Sequence, residues 1–74
     1  MQFQPFQQRV IDEKRELDEK LSKLISFIKA DTFQELDSIN QSLLRRQAGI
    51  MQDYSDTLEL RIKKFLTTDK RISK

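Results

Sequence analysis

From Phe6 to Ile28 the apolar residues stand at Val10, Leu17, Leu21, Leu24 and Ile28, steps of seven, four, three and four that share one helical face. The spacing predicts a first helix over about residues 5–29. Pro5 suits its first turn, where the missing N–H is not needed, and Glu16/Lys20 and Glu19/Lys23 have the favourable i,i+4 spacing with the acid first. Lys14 interrupts the stripe, so it is either a snorkelling stem or a polar group facing a cavity. The pattern breaks over residues 30–38, where Thr32 and Glu35 have the spacing of a capping box and Asp37 or Ser38 can cap a further start. This stretch reads as a corner with one short helical turn, in which Phe33 and Leu36 plug the end of the bundle. Leu44, Met51, Tyr54, Leu58, Ile62 and Phe65 then make a second stripe, with Leu43 and Ile50 beside it, and predict a helix of matching length over about residues 39–66. Thr67, Thr68 and Asp69 end the pattern and leave residues 67–74 as a frayed basic tail.

Two equal helices joined by a short corner make an antiparallel hairpin, so the fold class is all-α. No Gly- or Ser-rich linker divides the chain, and residues 1–74 form a single domain. A hairpin covers only one side of each apolar stripe, and a chain this short is marginal on its own. The expected assembly is therefore a four-helix-bundle dimer, or a tetramer built from two such dimers.

Composition narrows the chemistry. The chain is 36% hydrophobic and 35% charged, with one Gly, one Pro, no Cys and no His. The disulfide framework, the thiolate metal site, the commonest zinc ligand and the commonest general base are all missing. The carboxylates Asp12, Glu13, Glu16, Asp18 and Glu19 lie largely on the outer face, and a di-metal bundle normally needs histidine as well. The only glycine is inside a helix, so no phosphate-cradling loop exists. The chain is expected to be non-enzymatic and to carry no cofactor and no metal.

No run of about 18 apolar residues exists and the N-terminus lacks the blocks of a signal peptide, so no membrane association is expected and the predicted location is the cytoplasm. Net charge is +2, but residues 1–30 carry +1, residues 31–56 carry −3 and residues 57–74 carry +4. Only the C-terminal end is basic. A solvated tail is the ordinary reading of Lys63, Lys64, Lys70, Arg71 and Lys74, and nucleic acid is not the expected partner.

The polar residues in or beside the apolar stripes carry the candidate site. Gln47 lies between Leu44 and Met51, Arg61 between Leu58 and Phe65, and Arg9 beside Val10 at the far end of the hairpin. A buried guanidinium needs water, a carboxylate or a ligand. The hairpin brings Arg9 and Arg61 within reach of each other. Together they either seat a phosphate at a subunit boundary or pair with Glu13 and Glu16. Tyr54 is either a core ring or a base-stacking platform, and Gly49 is either outside or a point of close approach by another helix or a ligand. Phe3 and Phe6 either cap the bundle end, the simpler reading, or dock on a neighbouring subunit.

The run Arg9-Val10-x-x-Glu13, then Glu16-Leu17-Asp18-Glu19-Lys20-Leu21-x-x-Leu24-x-x-Phe27-Ile28, resembles a family of short tailed-phage proteins named after a crAss-like phage gene product. The likeness continues through Phe33-x-x-Leu36, Leu43-Leu44-x-x-Gln47-x-x-x-Met51-x-x-Tyr54 and Leu58-x-x-Arg61-Ile62-x-x-Phe65, and covers about residues 6–66. It implies a phage origin and a helical hairpin. Small phage-encoded helical oligomers are similar in style to anti-defence proteins that sequester the cyclic nucleotide signals of host immunity. That resemblance gives the polar residues roles: Arg9 and Arg61 for phosphates, Tyr54 for stacking on a base, Gln47 for reading a base edge and Lys14 for added charge. The leading expectation is thus an oligomer that holds a phosphorylated cyclic nucleotide between subunits without turnover. The alternative is an adaptor or inhibitor whose apolar groove, formed by Ile11, Ile25, Leu43 and Ile50, receives a helix of a host defence protein.

Overall fold

The computed structural model describes the backbone of residues 3–72 and the side chains of residues 3–66. Helix α1 spans Pro5–Ile28 and helix α2 spans Ser38–Ile72, with a tight 3-10 turn over Asp31–Glu35 between them. The two helices pack antiparallel as a hairpin. Among the described residues no strand is present, and no helix is long and apolar enough to cross a membrane.

Local chemistry sets the boundaries. At the start of α1 the side-chain amide oxygen of Gln7 accepts a hydrogen bond from the Gln4 backbone N–H at 2.9 Å, while Pro5 occupies a first-turn position that needs no donor. α1 ends on backbone bonds from Lys29 to the Ile25 carbonyl and from Ala30 to the Phe27 carbonyl, which tighten the last turn. The Thr32–Glu35 capping box does not form: Ala30 takes the position before the 3-10 turn, and no side chain caps it. Asp37 does cap α2, where its Oδ1 accepts from the Asn40 backbone N–H at 2.7 Å. Gln41 then reaches back from the first turn of α2 and donates to the Leu36 carbonyl at 2.8 Å.

The corner is closed by aromatic packing. Phe33 is fully buried and meets Phe27 edge-on with ring centroids 5.8 Å apart, while the Arg45 guanidinium lies 5.0 Å from the Phe33 centroid. At the open end Phe6 packs edge-on against Phe65 at 5.9 Å. These two contacts fix the register between them. The helices are unequal, 24 against 35 residues, so α2 outruns α1 beyond Phe65. No Pro or Gly stands after Leu66 to break the helix, and its backbone continues to Ile72 where the apolar stripe has already stopped. The tail expected to fray begins at residue 67, and its side chains fall outside the described residues.

The core is thin. Among the described residues its buried apolar side chains are Val10, Leu21, Phe33 and Leu58. The radius of gyration is 16.9 Å, against about 11 Å for a compact chain of this length. A rod of this shape leaves most of each helix surface uncovered.

Candidate functional site

A polar cluster interrupts the hairpin core halfway along. Lys14 fills the gap in the α1 stripe, and Ser55 falls at the same level of α2, four residues after Met51 and three before Leu58. The Lys14 Nζ donates to Asp18 Oδ2 at 2.7 Å and to Ser55 Oγ at 3.1 Å. Ser55 Oγ in turn donates to Asp18 Oδ1 at 2.5 Å. Glu59 adds a longer ion pair to Lys14 at 3.7 Å. Ser55 is buried and satisfied at both its donor and acceptor sites, so the cluster ties α1 to α2 without an orphaned polar atom.

The electrostatics follow from these bonds. The hydrogen bond from Lys14, then that from Ser55, hold the Asp18 carboxyl below the ordinary carboxylate value. The bond to Asp18 and the nearby charges of Asp18 and Glu59 hold the Lys14 ammonium above the ordinary lysine value, against a smaller opposing effect of desolvation. Lys14 is thus a charged side chain with its stem along the core and its head on carboxylates.

An open groove of roughly 660 Å³ runs beside the cluster. Its charged lining sets Lys14 and Lys29 against Asp18, Asp56 and Glu59. Cations do not outnumber anions there, so within one chain this groove offers no net attraction to a phosphate. A second groove of roughly 630 Å³ lies along α1, between Ile11 and Ile62.

The other candidate residues lie outside this groove. Arg9, Gln47, Tyr54 and Arg61 are all exposed, Tyr54 at 43%. Tyr54 therefore leaves the core stripe on which the sequence places it. Gln47, Tyr54 and Arg61 follow one another at intervals of seven and share one side of α2 over about 21 Å. The Gln47 amide lies 3.8 Å from the Met51 sulfur and makes no closer polar contact among the described residues. The register set by Phe6–Phe65 and Lys14–Ser55 puts Arg9 level with Arg61. Neither arginine is buried and, among the described residues, neither forms an ion pair, so the pairing with Glu13 and Glu16 is not made.

Sequence reasoning singled out Lys14 but missed Ser55, Asp18 and Glu59 as its partners. A small polar residue interrupts the α2 stripe opposite the place where lysine interrupts the α1 stripe, a match that becomes a signal only once the register of the two helices is known. Gly49, the other residue left open, meets nothing within 4 Å of an added Cβ.

Comparison with curated proteins and with solved structures returns no match. A family model described as Sequestin matches residues 4–64. The matched span takes in all of α1, the corner and the part of α2 that carries Gln47, Tyr54 and Arg61. The name points to a protein that holds a partner rather than one that turns over a substrate. With 61 of its 74 residues covered by that model, the chain belongs to the Sequestin family.

Proposed function

We propose that this chain is a phage-encoded, non-enzymatic protein of the host cytoplasm that self-assembles and sequesters a phosphorylated cyclic nucleotide between subunits. The observation that carries the reading is the row of exposed polar groups on one side of α2, Gln47, Tyr54 and Arg61, with Arg9 level with Arg61 and neither arginine neutralised by a carboxylate. Guanidinium groups left unpaired suit a phosphodiester, an exposed ring suits a base face and an exposed carboxamide suits a base edge. Asp18 and Glu59 share the Lys14 ammonium, so within one chain the positive charge for a phosphate rests on Arg9 and Arg61. One chain supplies too few such groups to enclose a ligand, which is why the reading places the nucleotide between copies.

Calorimetry and thermal shift with a panel of cyclic and linear nucleotides test it. At least one cyclic nucleotide is expected to bind, and Arg61→Ala to abolish that binding while leaving helical content and solution mass unchanged. Arg61 is exposed and bears no packing load, so a loss of fold is not expected. An absence of heat and of thermal shift across the panel would dismiss the reading.

A further inference from the structure

The face of α2 turned away from α1 carries some of the most exposed apolar side chains among the described residues: Ile39 at 71%, Leu60 at 66% and Ile50 at 57%. These are not scattered. With Ser42, Arg46, Gly49, Asp53 and Thr57 they make one exposed stripe at steps of three and four, apart from the adjacent Gly49 and Ile50 at its middle, about 32 Å long. Core-facing residues of the same helix, Leu44, Ala48, Met51, Ser55 and Leu58, occupy the opposite side.

The stripe is self-complementary when read against itself in reverse about a point between Gly49 and Ile50. In that register Ile39 meets Leu60 of a second copy, Ser42 meets Thr57, Arg46 meets Asp53, and Gly49 meets Ile50. Every kind of contact is matched: apolar with apolar, cation with anion, small with large. Arg46 and Asp53 are seven residues apart, about 10.5 Å along the helix, too far to pair within one chain. Among the described residues neither forms an ion pair. The Thr57 hydroxyl already donates to the Asp53 backbone carbonyl at 2.9 Å and asks nothing of a partner. Gly49 leaves open space where a neighbouring Ile50 would seat. A parallel arrangement would instead set Arg46 against Arg46 and Asp53 against Asp53, which is repulsive.

The shape of the chain leaves surface for a partner to cover. The chain exposes 5948 Å², about 1,100 Å² more than the roughly 4,800 Å² of a compact monomer of its mass. One side of a standard interface buries about 800 Å². We infer that a second copy of this chain docks here, its α2 antiparallel to the first across a two-fold axis at Gly49–Ile50, with reciprocal Arg46–Asp53 ion pairs. This inference rests on the self-assembly in the proposed function and specifies which face performs it.

Charge reversal tests it. R46D alone and D53R alone are each expected to reduce the mass in solution by at least half, and the double variant R46D/D53R to restore it. Circular dichroism of each variant checks that the hairpin is intact, as expected for exposed positions. Because the chain has no cysteine, Ser42→Cys and Thr57→Cys give an independent readout: oxidation should crosslink a mixture of the two chains and leave Ser42→Cys alone uncrosslinked. Self-crosslinking of Ser42→Cys would overturn the antiparallel register. A wild-type mass that is multimeric yet indifferent to all three charge variants would overturn this face while leaving self-assembly standing. A single-copy wild-type mass would overturn both. Nucleotide heats on the same samples report the ligand separately, so failure there leaves the interface result intact.

Discussion

Lys14, Asp18 and Ser55 show how a polar residue in an apolar stripe is accommodated at the level of single atoms. Ser55 is buried, and its hydroxyl both accepts from Lys14 and donates to Asp18. Ser55→Ala removes both bonds and is expected to cost about 1 kcal/mol, since Asp18 is partly exposed and regains water in place of the serine. Urea unfolding of the variant beside the wild type measures it. The pH dependence has two limbs of known sign. Asp18 is held below its ordinary value, so its contribution is complete above the ordinary carboxylate range and lost as pH falls through the folded value. Lys14 is held above its ordinary value, so its contribution is complete below the lysine range and lost as pH rises through the folded value. The cluster therefore stabilises the hairpin between about pH 4 and pH 10. Asp18→Asn is expected to flatten the loss of melting temperature below about pH 4; a wild-type and variant profile of equal slope there would count against the network. Position alone made Lys14 visible in the sequence. Its partners were not, because a serine reads as neutral on any helix face until the register with the opposite helix is known.

At the scale of elements, both helices and the corner were legible because a 3.6-residue period repeated over many turns leaves little freedom. Which residue caps which turn was less so. Thr32–Glu35 and Asp37 carried similar local signals, and the backbone used only the second. A 3-10 turn of five residues is too short to gain from a side-chain cap, whereas α2 begins with four unmatched N–H groups. Asp37→Ala is accordingly expected to lower stability by about 1 kcal/mol, with Thr32→Ala as a control that stays within about 0.5 kcal/mol of wild type. Thermal melts of the pair decide it, and equal losses would mean that the corner is capped otherwise. The second face of α2 was the least legible part. Leu43 and Ile50 read as neighbours of the core stripe, yet both are more than half exposed, and Tyr54 leaves the core with them. A helix with apolar residues on two sides has no single correct orientation in a one-dimensional pattern; the packing of α1 chooses one side and leaves the other to be met by something else.

For the whole molecule, that unmet side decides how stability behaves. Among the described residues, four buried apolar side chains on a rod 56 Å long are a small core. If copies of the chain cover one another, folding and association are a single equilibrium, and stability becomes a function of protein concentration. A tenfold rise in concentration is worth about 1.4 kcal/mol to a folded dimer. At about 2.1 cal/mol/K of unfolding entropy per residue, that shifts the melting temperature of two 74-residue chains upward by about 4–5 °C. Melts across a hundredfold concentration range are expected to show this drift, and R46D to remove it along with part of the stability. A bound nucleotide adds a second, independent shift that grows with ligand at fixed protein concentration, about 2.7 kcal/mol when ligand stands at a hundred times its dissociation constant. A melting temperature that ignores protein concentration would mean that the hairpin stands alone, and the site built between copies would have to be abandoned whatever the nucleotide does.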